Sequence, residues 1–265
     1  MVKEFEKYHY WAMILGGSSG LGLASAKKLA EHGMNICIVH RNSRTEMETI
    51  NVDFEEIKAS GVQLATYNFD LLASDKRESM LLDLKEKMDS GARIRCLLHS
   101  VAKGSLKPMT AKDGFPLSVD DFKITMQNMA FSLYDWVHVV FEKQLFAADA
   151  RVLSFTSEGS RKALNNYAAV SAAKASLEAI SRSIALEFAP FGIRSNCIQA
   201  GVTDTKSLRM IPDSTKIMEH SLQRNPFNRL TLPDDVANVV YLLCKDEAAW
   251  INGAILPVDG GEQIH

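Results

Sequence analysis

The chain lacks any long apolar run. No stretch of about 18 uninterrupted apolar residues occurs, so no membrane-spanning helix is expected. The first ten residues, MVKEFEKYHY, mix charges with aromatics and hold no apolar segment suited to a signal peptide. Charge of one sign is not in excess. Lys and Arg number 30 against 32 Asp and Glu, a balance that gives no footing for nucleic acid or a membrane surface as partner. Cysteine is scarce and scattered. Cys37, Cys96, Cys197 and Cys244 have no ligand-like spacing, so no metal site is expected. Three of them sit in apolar, strand-like runs, and all four read as buried free thiols of a protein kept in a reducing cytoplasm. There is no internal repeat, linker or low-complexity tract. What remains is 265 residues, 46% of them hydrophobic, enough for one domain with a full core over 1–265.

Glycine is not abundant, but it is concentrated where it matters. The apolar run 11–15 reads as a buried strand and leads directly into Gly16-Gly17-Ser18-Ser19-Gly20-Leu21-Gly22. Good helix sequence follows to Glu31, then a second strand at 35–39. Strand, glycine-rich turn, helix and strand make a βαβ unit with its turn at a helix N-terminus. Glycines let the backbone turn tightly and approach a ligand, and the free N–H groups of the first helical turn favour an anion. The spacing is Gly-x-x-x-Gly-x-Gly rather than Gly-x-Gly-x-x-Gly. A dinucleotide pyrophosphate is the expected occupant.

After the second strand comes His40-Arg41-Asn42-Ser43-Arg44, with no acid before Glu46. In a dinucleotide fold this point faces the adenosine ribose, where an acid suits a 2′-hydroxyl and an arginine suits a 2′-phosphate. Arg41 therefore points to NADP(H), with Arg44 a second candidate contact; an exposed loop arginine would have the same sequence. Further strands read at 62–69, 94–98, 151–155, 193–198 and 254–258, with helices between them. Asp70, at a strand end, suits either an adenine amino group or a helix N-cap. His99 follows the fourth strand and reads as structural more readily than as catalytic. Residues 103–118 form a loop over the site, and 119–146 form one long helix with aromatic packing residues. Residues 206–230 are polar and irregular, a mobile lid over a substrate. The whole is an α/β chain, a Rossmann-type doubly wound parallel sheet of about seven strands.

Tyr167 and Lys174 stand seven residues apart in Tyr167-Ala-Ala-Val-Ser171-Ala-Ala-Lys174, a stretch that reads as helix. At about 100° per residue, seven steps return within about 20° of the starting direction, so the two share a face. A phenol near a lysine ammonium can have its pKa lowered and serve as a proton donor.

Together these motifs resemble the short-chain dehydrogenase/reductase superfamily, over nearly the whole chain. Gly16, Gly20 and Gly22 match its glycine motif, Asp70-Leu71 its adenine-contacting strand end, and Asp259-Gly260-Gly261 its C-terminal signature. The usual member has Tyr-x-x-x-Lys; here Ser171 stands where that lysine would be. The spacing Tyr-x6-Lys, and His99-Ser100-Val101-Ala102 in place of Asn-Asn-Ala-Gly, look like the enoyl-acyl-carrier-protein reductases. Many of those carry a tyrosine ten residues upstream of the first, where this chain has Ser157. An NADPH-dependent branch that can lack that tyrosine, and shares the turn Gly201-Val202-Thr203-Asp204-Thr205, resembles it more closely. The superfamily's asparagine of the long helix falls at or beside Met129, with Asn128 next to it.

The resemblance implies NADP(H) held by Gly16, Ser18, Ser19, Gly20, Leu21 and Gly22, by Arg41 and Asn42, by Asp70 and Leu71, by Ser100 and Val101, and by Lys174, Val202 and Thr205. It implies Tyr167, Lys174 and Ser157 as the catalytic group, with Thr156 the alternative to Ser157 for the hydroxyl. The expected reaction is reduction of the conjugated C=C bond of a 2-enoyl thioester, with acyl carrier protein a candidate carrier, in fatty-acid-type biosynthesis by a cytoplasmic homotetramer. The alternatives are a ketone or 3-oxoacyl thioester reductase, and a non-catalytic NADP-binding regulatory protein.

Overall fold

The computed structural model describes residues 2–112 and 114–264. Its sheet is built from β1 (Tyr10–Leu15), β2 (Asn35–His40), β3 (Leu64–Asn68), β4 (Arg93–His99), β5 (Phe146–Thr156), β6 (Ile193–Ala200) and β7 (Ile255–Val258). The order is β3-β2-β1-β4-β5-β6-β7, and every neighbouring pair is parallel. The chain runs outward from β1 to β3, then returns across to β4 and runs outward the other way. The reversal lies between β1 and β4, and a crevice opens beyond the carboxyl ends of those two strands.

The strands read as near-continuous apolar runs because helices cover both faces of the sheet. Strand β1 displays this in its alternation. Trp11, Met13 and Leu15 point to one layer, with α3 (Ser74–Lys87), α5 (Ser132–Glu142) and α6 (Ala168–Glu187). Ala12 and Ile14 point to the other, with α1 (Gly20–Glu31), α2 (Met47–Ala59) and α9 (Pro233–Cys244). All four cysteines are free and buried. No helix among the described residues is long and apolar enough to cross a membrane, and no described cluster of His, Cys, Asp and Glu could hold a metal ion.

Three expected elements differ. The helix read over 119–146 is two helices, α4 (Val119–Met126) and α5, joined by a π-helical stretch, Gln127–Phe131. It stops at Glu142, because Gln144 adopts φ 55° and closes a Schellman cap, in which Gln144 N donates to Phe141 O and Leu145 N to Val140 O. That cap usually holds glycine, so glutamine gave no stop signal, and Phe146 already belongs to β5. Second, Tyr167 is not inside the helix: it is the N-cap residue of α6, at φ −116° and ψ 2°, with Asn166 at φ 61° before it. Third, residues 206–230 are not irregular. They contain α7 (Lys206–Arg209), capped by the Thr205 hydroxyl accepting from Leu208 N, and α8 (Ser214–Arg224).

Candidate active site

The glycine-rich turn closes on itself and on β4. A Cβ at Gly22 would lie 2.3 Å from Gly16 O and 2.9 Å from Ser100 Oγ; one at Gly16, where φ is +88°, would lie 2.3 Å from Ser100 O. Gly16 N donates to Val39 O, and Ser100 N to Leu15 O, each at 2.8 Å. Only glycine permits this approach. Ser19 is the N-cap of α1, but its side chain makes no capping bond, so the first helical N–H groups are left for an anion. Ser18 and Leu21 are half-buried, Ser19 is exposed and Val101 is buried at the mouth of β4. Thr205 reaches over this turn from the other side of the crevice: its Cγ2 lies 3.5 Å from where a Gly20 Cβ would be. Val202 N lies 3.4 Å from Glu262 Oε2, and the Lys206 ammonium pairs with the Glu46 carboxylate. Gly16, Gly22 and Ser100 thus pack together, Gly20 faces Thr205, and the tight glycine cradle with uncapped N–H groups fits a dinucleotide.

On the adenosine side, Arg41 follows β2 and pairs with Asp70, which follows β3, at 2.5 Å. Asn42 is fixed by a pair of bonds with Asn68, its N donating to Asn68 Oδ1 and its O accepting from Asn68 Nδ2, each at 3.0 Å. Leu71 O accepts from Trp136 Nε1 at 3.1 Å, which ties the strand end to α5. Arg44 is exposed on the turn before Glu46.

The third group surrounds the start of α6. The Tyr167 ring lies against Gly159, where a Cβ would stand 2.6 Å from Tyr167 Cε1 and 3.3 Å from Ser157 Oγ. Ser157 Oγ is buried without a hydrogen-bond partner, beside the phenol but outside bonding geometry. Thr156 Oγ1 is already committed, donating to Glu178 Oε1 at 2.6 Å. Of the two candidate hydroxyls, only that of Ser157 is open. Lys174 is buried, and its ammonium donates to Phe155 O at 2.7 Å. Burial pushes Lys174 down to about 8, against the attraction of neighbours that include Glu178. Burial pushes the Tyr167 phenol up, and the nearby Ser157 hydroxyl pulls it the other way. The expected lowering of the phenol by the lysine is therefore not found. The ammonium is turned to the end of β5, and the burial of the ring dominates.

His99 is completely buried. Its Nε2 lies 2.8 Å from Ser132 Oγ, which donates to Asn128 O at 2.6 Å. The serine's one proton is used there, so the imidazole carries its own on Nε2. Burial pushes His99 down to about 3, which fits a neutral structural histidine. Asn128 is buried in the π-helical stretch, with Nδ2 donating to Ile124 O at 2.8 Å and Oδ1 unpartnered. Met129 packs instead with Val170, Ala173 and Tyr167.

Gly159, Glu178 and Arg224 were not found from the sequence. Glu178 lies four residues beyond Lys174 on the buried face of α6, a spacing that carried a usable signal. Gly159 and Arg224 gave none, because their neighbours are distant in the chain. Arg224 Nη2, on α8, bonds both Glu158 carboxylate oxygens at 3.1 Å and Glu262 O at 3.1 Å. It links α8 to the residue after Ser157.

The chain matches, over residues 16–263, the model of a family described as enoyl-(acyl carrier protein) reductase. It is 26% identical to a probable 2,4-dienoyl-CoA reductase of Bacillus subtilis (strain 168) over 267 residues, with 96% of each chain covered. It is 26% identical to the 7alpha-hydroxysteroid dehydrogenase of Escherichia coli (strain K12) over 250 residues, 94% of this chain and 92% of that one. In three dimensions it is similar to an enoyl-[acyl-carrier-protein] reductase (NADH) from Aquifex aeolicus VF5, with TM-score 0.83, 24% identity and 97% of each chain covered. An enoyl-(acyl-carrier-protein) reductase from Anaplasma phagocytophilum, in complex with NAD, is also similar, with TM-score 0.83, 21% identity and coverage of 100% and 95%. The chain is an oxidoreductase of the short-chain dehydrogenase/reductase superfamily and belongs to its enoyl-(acyl carrier protein) reductase family.

Proposed function

We propose that this chain uses NADPH to reduce the conjugated C=C bond of a 2-enoyl thioester. The observation that carries the reading is the placement of Tyr167. Tyr167 is the N-cap residue of α6, with its ring against Gly159 and beside the uncommitted Ser157 hydroxyl, and Lys174 is held deeper at the end of β5. When bound, NADPH supplies a hydride to the β-carbon. The pair of electrons displaced from the C=C bond then accumulates on the thioester oxygen. Tyr167, kept protonated by burial, donates a hydrogen bond or its proton to that oxygen, where charge develops. Ser157 is a second donor to the same oxygen. Lys174 holds the nicotinamide ribose and keeps positive charge beneath the site. Arg41, Asn42, Asp70 and Leu71 take the adenosine end, and the absence of an acid after β2 favours NADP(H) over NAD(H).

The relative named as a dienoyl-CoA reductase sides with this reading, because its chemistry is at a conjugated C=C bond. The name of another relative, a hydroxysteroid dehydrogenase, favours a second reading, since the same Tyr–Lys pair could protonate the alkoxide of a ketone. The two are separated by following NADPH oxidation with crotonyl and acetoacetyl thioesters. Turnover of crotonyl thioester that falls by about 10²- to 10³-fold in Tyr167→Phe, with NADPH binding intact, is expected. Turnover of the ketone alone would overturn the enoyl reading, and turnover of neither would favour the non-catalytic alternative.

The acyl group is carried by coenzyme A or by acyl carrier protein in a cytoplasmic, fatty-acid-type pathway, and 206–230 covers it. A groove of about 410 Å3 between α5 and α6, lined by Phe131, Tyr134, Ile180, Ile184 and Phe188, supports assembly with further copies as a homotetramer, testable by light scattering.

A further inference from the structure

Arg41, Asp70 and Lys103 come from three different loops, after β2, β3 and β4, and meet at one carboxylate oxygen. Arg41 Nη1 lies 2.5 Å from Asp70 Oδ2, and Lys103 Nζ lies 3.7 Å from the same atom. The other oxygen, Oδ1, accepts from Leu72 N at 3.1 Å. The carboxylate is thus held by its own backbone turn. Both cations sit on long stems whose side chains are 63% and 55% exposed, so they are the parts free to move. Two cations share one anion, which leaves the cluster with residual positive charge at the adenosine end of the crevice.

This arrangement has a consequence for any ligand that brings a phosphate to Arg41. Resting on the NADP(H) reading above, we propose that Lys103 is a second cation for the ribose 2′-phosphate, and that Asp70 competes with that phosphate for both cations and so limits the preference for NADPH over NADH. A phosphate monoester carries nearly two charges and three acceptor oxygens, so it draws a guanidinium and an ammonium from a single carboxylate. Asp70, anchored to Leu72, stays in place, so the arriving phosphate must both strip its partners and bear its repulsion. A dinucleotide with a 2′-hydroxyl meets neither effect. It leaves the Arg41–Asp70 pair whole.

The test is the equilibrium dissociation constants of NADPH and NADH for the full chain without substrate, read from nicotinamide fluorescence. Wild type is compared with Asp70→Asn and Lys103→Met. Asparagine keeps an acceptor at the position, and both substitutions are at solvent-accessible side chains, with far-UV circular dichroism checking the fold. Because Asp70 also belongs to the adenosine end shared by both cofactors, the reading is the ratio of the two constants. Asp70→Asn is expected to raise the preference for NADPH over NADH by about ten-fold, and Lys103→Met to lower it by about five-fold. An Asp70→Asn protein with the wild-type ratio of the two constants overturns the competition. A Lys103→Met protein that loses both cofactors equally, or neither, overturns the second-cation role. Wild type that binds NADH better than NADPH, or binds neither, overturns the NADP(H) reading itself, a result distinct from the other two.

Discussion

Thr156 donates its hydroxyl to the buried carboxylate of Glu178 at 2.6 Å, and this bond between β5 and α6 separates the roles of two adjacent hydroxyls. Removing it in Thr156→Val leaves a buried acceptor without its partner, at a cost of about 1–3 kcal/mol. Ser157→Ala removes an oxygen that has no partner in the fold, so stability should stay within about 0.5 kcal/mol. If Ser157 assists the oxyanion, the alanine variant should lose about ten-fold or more in kcat. Urea unfolding and steady-state kinetics on both variants check this. A stability loss at Ser157 equal to that at Thr156 would contradict the division.

Gly159 keeps the Tyr167 ring in place by having no side chain. Its φ is not in the left-handed region, so alanine meets no backbone penalty there. A Cβ would nevertheless stand 2.6 Å from Tyr167 Cε1, and the ring must move. Displacement of a reacting group by about 1 Å costs on the order of 10²-fold in rate. Gly159→Ala should therefore lose turnover while its NADPH dissociation constant stays at the wild-type value. Unchanged kcat would mean that the phenol's position is not critical.

Lys174 gives the fold a pH dependence whose sign is fixed by burial. Its pKa in the fold is about 8, below the ordinary 10.5. At pH 7 folded and unfolded chains both carry the proton, and the folded chain bears the full burial penalty. Between about 8 and 10.5 the folded chain has released the proton and the unfolded chain has not, so this group's contribution to stability rises with pH across that window. The rise is on the order of 3 kcal/mol over the whole window. Lys174→Met removes the titration. The difference in unfolding free energy between wild type and this variant, measured at pH 7 and pH 9.5, should shift in favour of wild type at the higher pH. A constant difference would sink the assignment.

Arg224 ties α8 to Glu158 and to Glu262, and Glu262 also accepts from the Ser221 hydroxyl. Arg224→Met leaves the half-buried Glu158 and the buried Glu262 without their shared cation, at about 2 kcal/mol. If 206–230 closes over the thioester as proposed, this link from α8 to the residue after Ser157 should make KM for the thioester rise in the methionine variant while NADPH affinity is retained. Arg224→Lys should recover most of the stability, since a single nitrogen, Nη2, makes the contacts to both partners and an ammonium can replace it. Equal KM in wild type and Arg224→Met would separate the lid from the site.

The amino-acid sequence alone determined the framework of this protein. The apolar runs, the turn from Gly16 to Gly22 and the alternation of strands with helices are local patterns, and local patterns report backbone conformation directly. That is why the parallel sheet and the glycine-rich turn were legible, while the approach of Gly16 to Ser100 was seen only in the structure. The stop after Glu142 was not, because Gln144 takes a conformation that its identity does not advertise. The helices at 206–209 and 214–224 were hidden by short length and polar composition. Tertiary structure decided the rest. That Thr156 is spent on Glu178 while Ser157 is open, that Gly159 lies under Tyr167, and that Arg41 and Lys103 share Asp70 all depend on segments brought together by packing. The spacing from Tyr167 to Lys174 predicts a shared helix face, but Tyr167 lies at the N-cap of α6, outside the helical backbone. Only burial against β5 decided their charge states, because desolvation depends on what surrounds a group and not on what precedes it in the chain.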